Sequence, residues 1–323
     1  LLVNLFQTAQ MPIAEALASA RLRGRADAAT RYGRLRLCGS LGFVVVVIAA
    51  GPLFDRLGIA AALPVGVALS LLLVAVAWRV PEQGAHEEAH ERVSIRGRLR
   101  EPRVRWFLLS AALMVFAHGA MYTYLSIYLV QLGYSKSAVG VFWVLSTVFE
   151  IAFFYTQGRW LARFGLYPLL LASFFVAALR FVLIGQLAGI WWLLAIAQLL
   201  HAVSFAVHHG ASVMTIQRWF PGSAAARGQA LYISAAYGAG GSAGSLVAAY
   251  LWTWGGPGWA FGSGSAAALL GAWAIRQARR CDIGDAAPHV VRVAAAPAEP
   301  PAGTENASAV PCAERGEVQE ARQ

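Results

Sequence analysis

Residues 41–50 read LGFVVVVIAA and residues 69–77 read LSLLLVAVA, two runs without a charged side chain. The strands of a membrane β-barrel would alternate apolar and polar residues, and neither run does so. A helix needs about 20 apolar residues to cross the hydrocarbon core of a bilayer, since each residue adds about 1.5 Å. Both runs lie inside apolar segments of that length, which predicts membrane-spanning helices.

Nine such segments follow one another along the chain. The predicted spans are 1–20, 37–57, 60–78, 106–130, 138–157, 166–185, 191–212, 229–251 and 258–276. Of the 323 residues, 58% are hydrophobic and only 13% are charged, whereas soluble domains carry about 25% charged residues. Lys and Arg outnumber Asp and Glu by 26 to 16, but the basic residues cluster between apolar segments. This distribution excludes a nucleic-acid-binding protein.

The basic residues divide the connections between spans into two sets. The connections 21–36, 79–105, 158–165 and 213–228 and the start of the tail carry most of the arginines, whereas the alternate connections carry only Arg56 and Lys136. Basic connections stay in the cytoplasm. The carboxyl end is therefore predicted inside and residue 1 outside, in a bacterial-type inner membrane.

The charged connection 79–105 separates two groups of helices. We predict an all-α, polytopic membrane protein with a three-helix remnant of an amino-terminal half at 1–78 and a cytoplasmic central loop at 79–105. A six-helix carboxyl-terminal half follows at 106–276, and the Ala-, Pro- and Glu-rich segment 277–323 is predicted to be a disordered cytoplasmic tail. Transporters are often built from two related halves, so an incomplete amino-terminal half accounts for this pattern.

Ionisable side chains inside the spans attract attention because a charge at the bilayer centre costs about 2.5–3.5 kcal/mol. Glu150 lies deep in the span 138–157. It either binds a proton or a cationic group, or it is a protonated packing residue. Arg180 lies nearer the end of its span. It either extends to the interface, pairs with Glu150 or holds an anionic solute.

Two further spans carry polar residues at helical spacing. His201 is followed by Ser204, Phe205 and His208, at 3, 4 and 7 residues, so the four share one helical face. Histidine titrates near neutral pH and can carry a proton, although a structural hydrogen bond is the alternative. On the span 106–130, His118, Tyr122 and Ser126, with Tyr124 and Tyr128 nearby, either line a cavity or hydrogen-bond to neighbouring helices.

Three further sequence features bear on possible binding sites and helix packing. Glu15 lies near the inner end of the first segment, and Arg36 opens the next span, so antiparallel helices would bring the two together. The glycines at 238, 240, 241 and 244 lie inside an apolar helix rather than after a strand, which favours close helix packing over a nucleotide-binding loop. His208-His209 has no matching Cys, Asp or Glu cluster, so no metal site is predicted.

Several segments resemble the phenylpropionate permease branch of the major facilitator superfamily, and more distantly the lactose permeases. They are PIAEAL at 12–17, YGRLRLCGS at 32–40, HGAMY at 118–122, GYSKSAVG at 133–140, LHA at 200–202 and VHHGA at 207–211. The segment GRWLARFG at 158–165 weakly resembles the family's signature loop. The resemblance runs over about residues 1–276 and implies a two-half helical bundle that lacks three amino-terminal helices.

The resemblance also implies roles for single residues. Glu15 and Arg36 match a carboxylate and an arginine that hold substrate in lactose permeases, and Glu150, Arg180 and His201 match the polar residues of helices eight, nine and ten. Two departures stand out. Ser204 replaces the carboxylate that carries the proton, and Phe43 replaces the tryptophan that stacks on the sugar. These departures favour the phenylpropionate branch over lactose transport.

We therefore expect a monomeric transporter that takes up a small organic solute together with protons by alternating access, with an aromatic carboxylate as the solute. Its partners are the solute, protons and the lipid bilayer; no nucleic acid, cofactor or enzymatic activity is expected. The predicted solute-binding residues are Glu15, Arg36, Phe43, His118, Tyr122, Tyr124 and Arg180, and the proton-coupling residues are Glu150 and His201. The alternatives are a sugar or nucleoside symporter and, because Leu1 stands in place of an initiator methionine, a fragment that does not transport.

Overall fold

The computed structural model describes residues 27–79, 95–221 and 224–283, together with residues 14, 17, 18, 21, 22 and 25. These residues form helices and contain no strand. The long helices are α1 (Ala28–Leu57), α2 (Ala62–Trp78), α4 (Pro102–Gln131), α5 (Lys136–Phe164), α6 (Leu166–Leu187) and α10 (Ser242–Ile283). The shorter ones are α3 (Ile95–Arg100), α7 (Trp191–Leu199), α8 (His208–Trp219) and α9 (Ala225–Ile233), with π-helical segments at Ala202–Val207 and Ser234–Gly241 and a 3-10 turn at Ile59–Ala61.

Four helices of the described part are long and apolar enough to cross a membrane. They are Pro102–Gln131, Ser137–Phe164, Leu166–Leu187 and Trp191–Trp219, and the shorter Leu63–Trp78 is also apolar. Each overlaps a span predicted from the sequence. The predicted span 1–20 lies outside the described residues, apart from a few isolated positions.

Several segments that were predicted as connections, central loop or tail are helical. Residues 28–36 belong to α1, residues 158–164 to α5 and residues 213–219 to α8. Residues 95–100 of the predicted central loop form α3, and residues 277–283 of the predicted tail extend α10. The apolar segments from which the spans were predicted end where arginines begin. The helix itself continues, because its backbone hydrogen bonds are equally satisfied in the interfacial layer.

Helix α10 packs along α4 and α6. A Cβ atom at Gly240 or Gly244 would run into the α4 backbone at Ala112 and Phe116, respectively. The predicted packing role is confirmed for these two glycines. Gly238 faces open space instead, so it does not contribute to this contact.

Helix α10 is kinked at Gly256, which adopts a positive φ of 76° and precedes Pro257. Residues with a Cβ rarely adopt this backbone conformation, and proline cannot donate the next helical hydrogen bond. The kink falls between the predicted spans 229–251 and 258–276. It therefore marks the boundary that the sequence predicts between two consecutive spans.

The outer faces of the helices are apolar. On α2, Leu63 is 76% exposed and Leu71 is 65% exposed. In water such a surface would drive association, whereas lipid chains solvate it at no cost.

At one end of the bundle, charged residues join the ends of three helices. The Asp282 carboxylate on α10 lies 2.9 Å from Arg103 on α4 and 3.6 Å from Arg218 on α8. Arg103 also donates to Glu101 at 2.8 Å. The Asp282 side chain is 5% exposed and Arg103 is 16% exposed, so this pair is shielded from water, whereas Arg218 is 50% exposed.

Candidate functional site

A cavity of about 270 Å³ opens among α1, α4, α5 and the His201–Phe205 segment. We call it the larger cavity. Its volume is close to the lower limit, about 300 Å³, of sites that hold small organic ligands. The residues that line it are Arg36, Gly39, Ser40, Phe43, Tyr122, Trp143, Ser146, Thr147, Glu150, His201 and Phe205.

Helix α1 presents Arg36, Ser40 and Phe43 to this cavity. Their spacing of four and three residues places them on one face of the helix. The same helix lies very close to α5, because a Cβ at Gly33 would run into the Phe154 carbonyl and one at Gly158 into Thr30. Two glycines thus set the close approach that forms one wall of the cavity.

Glu150 is the acidic group among the described residues that line the cavity, and it is 7% exposed. The Ser40 hydroxyl donates a hydrogen bond of 2.6 Å to its Oε1 atom. His201 lies on the other side, with Nε2 3.8 Å from Oε2. This separation exceeds a hydrogen bond, so the pair attracts strongly only when the imidazole is protonated.

Arg36 contributes a cation to the same cavity. Its guanidinium lies over the Phe154 ring, 5.7 Å from the ring centre. Its buried Nε atom has no hydrogen-bond partner among the described residues. A guanidinium that lines a cavity is suited to bind a carboxylate, which accepts two parallel hydrogen bonds.

Aromatic rings form much of the remaining surface. Phe43, Tyr122, Trp143 and Phe205 all line the cavity. The Trp143 indole donates to the Ser126 hydroxyl at 3.0 Å, which fixes the ring. Phe205 stacks on His201, with ring centres 5.0 Å apart and planes within 9°. These flat surfaces suit an aromatic ligand.

Arg180 and His118 lie outside the larger cavity. Arg180 is fully buried, and its Nε atom donates to the Ala197 carbonyl at 2.8 Å. The His118 Nδ1 atom donates to the Met114 carbonyl at 2.9 Å, and its Nε2 atom faces Arg180 at 3.5 Å. Neither residue lines the larger cavity. Their predicted contact with solute would require a different conformation.

The other two predicted binding residues lie elsewhere. Tyr124 stacks on Trp252 of α10, with ring centres 4.6 Å apart, and does not line the larger cavity. Glu15 lies outside the described residues. The structure thus brings together Arg36, Phe43, Tyr122, Glu150 and His201 of the predicted set.

The sequence interpretation missed several lining residues, namely Gly39, Ser40, Trp143, Ser146, Thr147 and Phe205 as part of the wall. Ser40 had a usable signal, since it follows Arg36 by one helical turn. Trp143 had none, because an aromatic residue in a span faces lipid as readily as a cavity.

A second, smaller cavity of about 10 Å³ lies next to the first. Tyr122 and Phe205 line both cavities, and His118, Ser204, His208 and His209 line the smaller one. It is about the size that a single water requires. His209 stacks on Phe205, which lies four residues earlier, with ring centres 6.1 Å apart.

His209 also connects α8 to α1, through a contact of 3.2 Å between its Nε2 atom and the Tyr32 hydroxyl. No three His, Cys, Asp or Glu side chains in the described part of the chain are arranged to hold a metal ion.

Comparison with known proteins finds relatives that are named as transport proteins. The chain is 33% identical over 239 residues to the "Probable 3-phenylpropionic acid transporter" of Escherichia coli (strain K12), which covers 73% of this chain and 62% of that protein. It is 30% identical over 196 residues to the "Maltose permease" of Geobacillus stearothermophilus, covering 59% of this chain and 48% of that protein. The chain thus spans about half to three-fifths of the length of these relatives.

The MFS_1 like family matches residues 1–263, most of the chain. Both relatives carry the names of transport proteins, not of enzymes. With its long apolar helices, the chain is an integral membrane protein. It belongs to the MFS_1 like family of the major facilitator superfamily.

Proposed function

We propose that the protein carries a small aromatic carboxylate across the membrane by alternating access, with protons as the coupling ion. The larger cavity is the observation that supports this proposal. It combines an arginine that has an unused donor with several aromatic surfaces, and these are the two groups that such a solute needs. The likeness to a phenylpropionate transporter supports the same class of solute.

In this proposal Arg36 binds the carboxylate, while Phe43 and Tyr122 contact the ring. Glu150 and His201 take up and release the coupling proton, since they face each other at 3.8 Å and both contact the cavity. A proton that binds to this pair changes the charge inside the cavity. The charge stays within the protein, so it does not have to enter the lipid. Arg180, His118, Tyr124 and Glu15 contribute in this proposal only in other conformations of the transport cycle.

We further propose that the protein works as a monomer in the inner membrane, with its carboxyl end in the cytoplasm. The arginine-rich connections support this orientation, because basic connections are retained on the cytoplasmic side.

A neutral sugar is the second candidate solute. The hydroxyls of Ser40, Ser146 and Thr147 and the Glu150 carboxylate also line the cavity, and such groups bind sugar hydroxyls. The likeness to a maltose permease favours this alternative as well.

Counterflow in proteoliposomes separates the candidates. Vesicles that contain the chain are loaded with unlabelled solute and diluted into labelled 3-phenylpropionate, maltose or uridine. We expect labelled 3-phenylpropionate to enter. Entry of maltose or uridine without 3-phenylpropionate would contradict the aromatic carboxylate, and entry of none would favour the view that the chain alone does not transport.

Proton coupling is tested with Glu150→Gln, which keeps the shape of the side chain but removes its charge. We expect this variant to lose the accumulation of 3-phenylpropionate that an imposed pH gradient drives. Accumulation at the level of the unchanged protein would exclude Glu150 from the coupling step.

A further inference from the structure

The hydroxyl of Ser40 has no role in the transport scheme described so far, although it makes the shortest polar contact in the larger cavity. Ser40 is 4% exposed and lies one turn after Arg36 on α1. Its Oγ atom is 2.6 Å from the Glu150 Oε1 atom. Charge-assisted O–H···O⁻ bonds measure about 2.5–2.7 Å, so the distance fits an ionised acceptor.

This bond divides the two oxygens of Glu150 between different elements. Oε1 accepts from Ser40 on α1, and Oε2 faces His201, which immediately precedes the π-helical segment. A carboxylate held at one oxygen cannot rotate freely. The Ser40 bond therefore fixes the distance of 3.8 Å between Oε2 and the imidazole.

The bond also crosses a helix contact that alternating access would have to change. Helix α1 belongs to the predicted amino-terminal half and α5 to the predicted carboxyl-terminal half. The two helices touch through Gly33 and Gly158, and the serine side chain is too short to follow a helix that moves away. When α1 separates from α5, Glu150 loses the hydrogen bond that orients it.

From these contacts we infer that Ser40 is a positioning residue, which makes the orientation of Glu150 towards His201 depend on the closure of α1 against α5. The inference rests on the proposed function for its role in transport. It adds a physical connection between the movement of the halves and the group that takes up the proton. The solute-binding role of Arg36 does not depend on it.

Two replacements of Ser40 separate the hydroxyl from the shape of the side chain. Ser40→Thr keeps the hydroxyl, and Ser40→Val has nearly the same shape without it. Ser40→Ala removes the hydroxyl without adding bulk, so it covers the case in which Val disturbs packing. Ser70→Ala is the matched control, because Ser70 on α2 donates to the Gly66 carbonyl of its own helix and does not line the larger cavity.

The first readout is the infrared carboxyl absorption of Glu150 in the purified protein, assigned by its loss in Glu150→Gln. We expect the band to move in Ser40→Val and Ser40→Ala and to keep its position in Ser40→Thr and Ser70→Ala. An unmoved band in both variants that lack the hydroxyl would overturn the inference.

The second readout is accumulation of 3-phenylpropionate driven by a pH gradient. Since a hydrogen bond to a charged group is lost, we expect Ser40→Val to accumulate about tenfold less than Ser40→Thr. Equal accumulation in these two variants would overturn the inference. If the unchanged protein exchanges no solute but the band depends on Ser40, the transport proposal fails while the positioning of Glu150 by Ser40 is supported.

Discussion

At the scale of single residues, Arg36 distinguishes this cavity from an ordinary gap between helices. Its guanidinium lines a mostly aromatic and hydroxyl-bearing surface, and its Nε atom has no partner in the described part of the chain. The Glu150 carboxylate lines the same cavity, so this cation already has an anion near it. In the proposed function, the carboxylate of the solute binds to the guanidinium as a further anion.

We expect Arg36→Gln to raise the concentration of 3-phenylpropionate needed for half-maximal counterflow by about tenfold or more, because a charge-assisted hydrogen bond is lost. Counterflow measured at increasing solute concentration tests this. Arg34→Gln is the control, since Arg34 is exposed and lies outside the cavity. The same increase in both variants would show a general effect of charge rather than solute recognition.

The sequence alone predicted the charged and histidine residues of the cavity better than its aromatic ones. Glu150 and His201 stand out because an ionisable group in lipid requires a partner. Trp143 does not stand out, since tryptophan side chains also occur on surfaces that face lipid. Arg180 and Tyr124 were assigned to solute binding, but hydropathy does not determine how a helix is rotated about its axis, and both lie against other helices in this structure.

At the scale of helices, position along the chain was easier to predict than local geometry. The span 166–185 corresponds closely to the helix Leu166–Leu187, which begins after Gly165 at a positive φ of 75° and ends shortly before Gly189. The π-helical segment at Ala202–Val207 was not predicted. An extra residue in a turn arises from packing against neighbouring helices, and such segments often occur at functional sites.

We expect Gly33→Ala to destabilise the protein by about 1–3 kcal/mol, because the added methyl group overpacks the contact of α1 with α5. Thermal unfolding in detergent, followed by size-exclusion chromatography, measures this effect. Gly42→Ala is the matched control on the same helix, since a Cβ there meets no atom within 4 Å. Equal melting temperatures for the two variants would contradict the close approach at Gly33.

At the scale of the whole molecule, lipid is the solvent that explains both surface and interior. Leu63 and Leu71 are exposed on α2 without an energetic penalty, whereas Asp282 is shielded and held by two arginines at the bundle end. The general helical architecture followed from this principle alone. Which helices meet at the cavity did not, because the order of helices in space depends on contacts between distant segments.

The orientation of the molecule gives a separate prediction. In a variant whose only cysteine is Cys281, at the end of α10, we expect a membrane-impermeant maleimide to react in inverted vesicles but not in intact cells, because basic connections remain in the cytoplasm. A variant whose only cysteine replaces Gln131, at the end of α4 that is proposed to face outward, should show the opposite pattern. Labelling of Cys281 in intact cells would reverse the proposed orientation.

The most direct test of the larger cavity as the solute site is protection of a cysteine placed in it. Ser146→Cys, in a chain without other cysteines, introduces a small thiol into the cavity wall. We predict that 3-phenylpropionate slows its alkylation in a concentration-dependent manner, that the added change Arg36→Gln abolishes this protection, and that a cysteine at position 131 is not protected. An alkylation rate at position 146 that 3-phenylpropionate leaves unchanged, while maltose slows it, would contradict an aromatic carboxylate bound by Arg36.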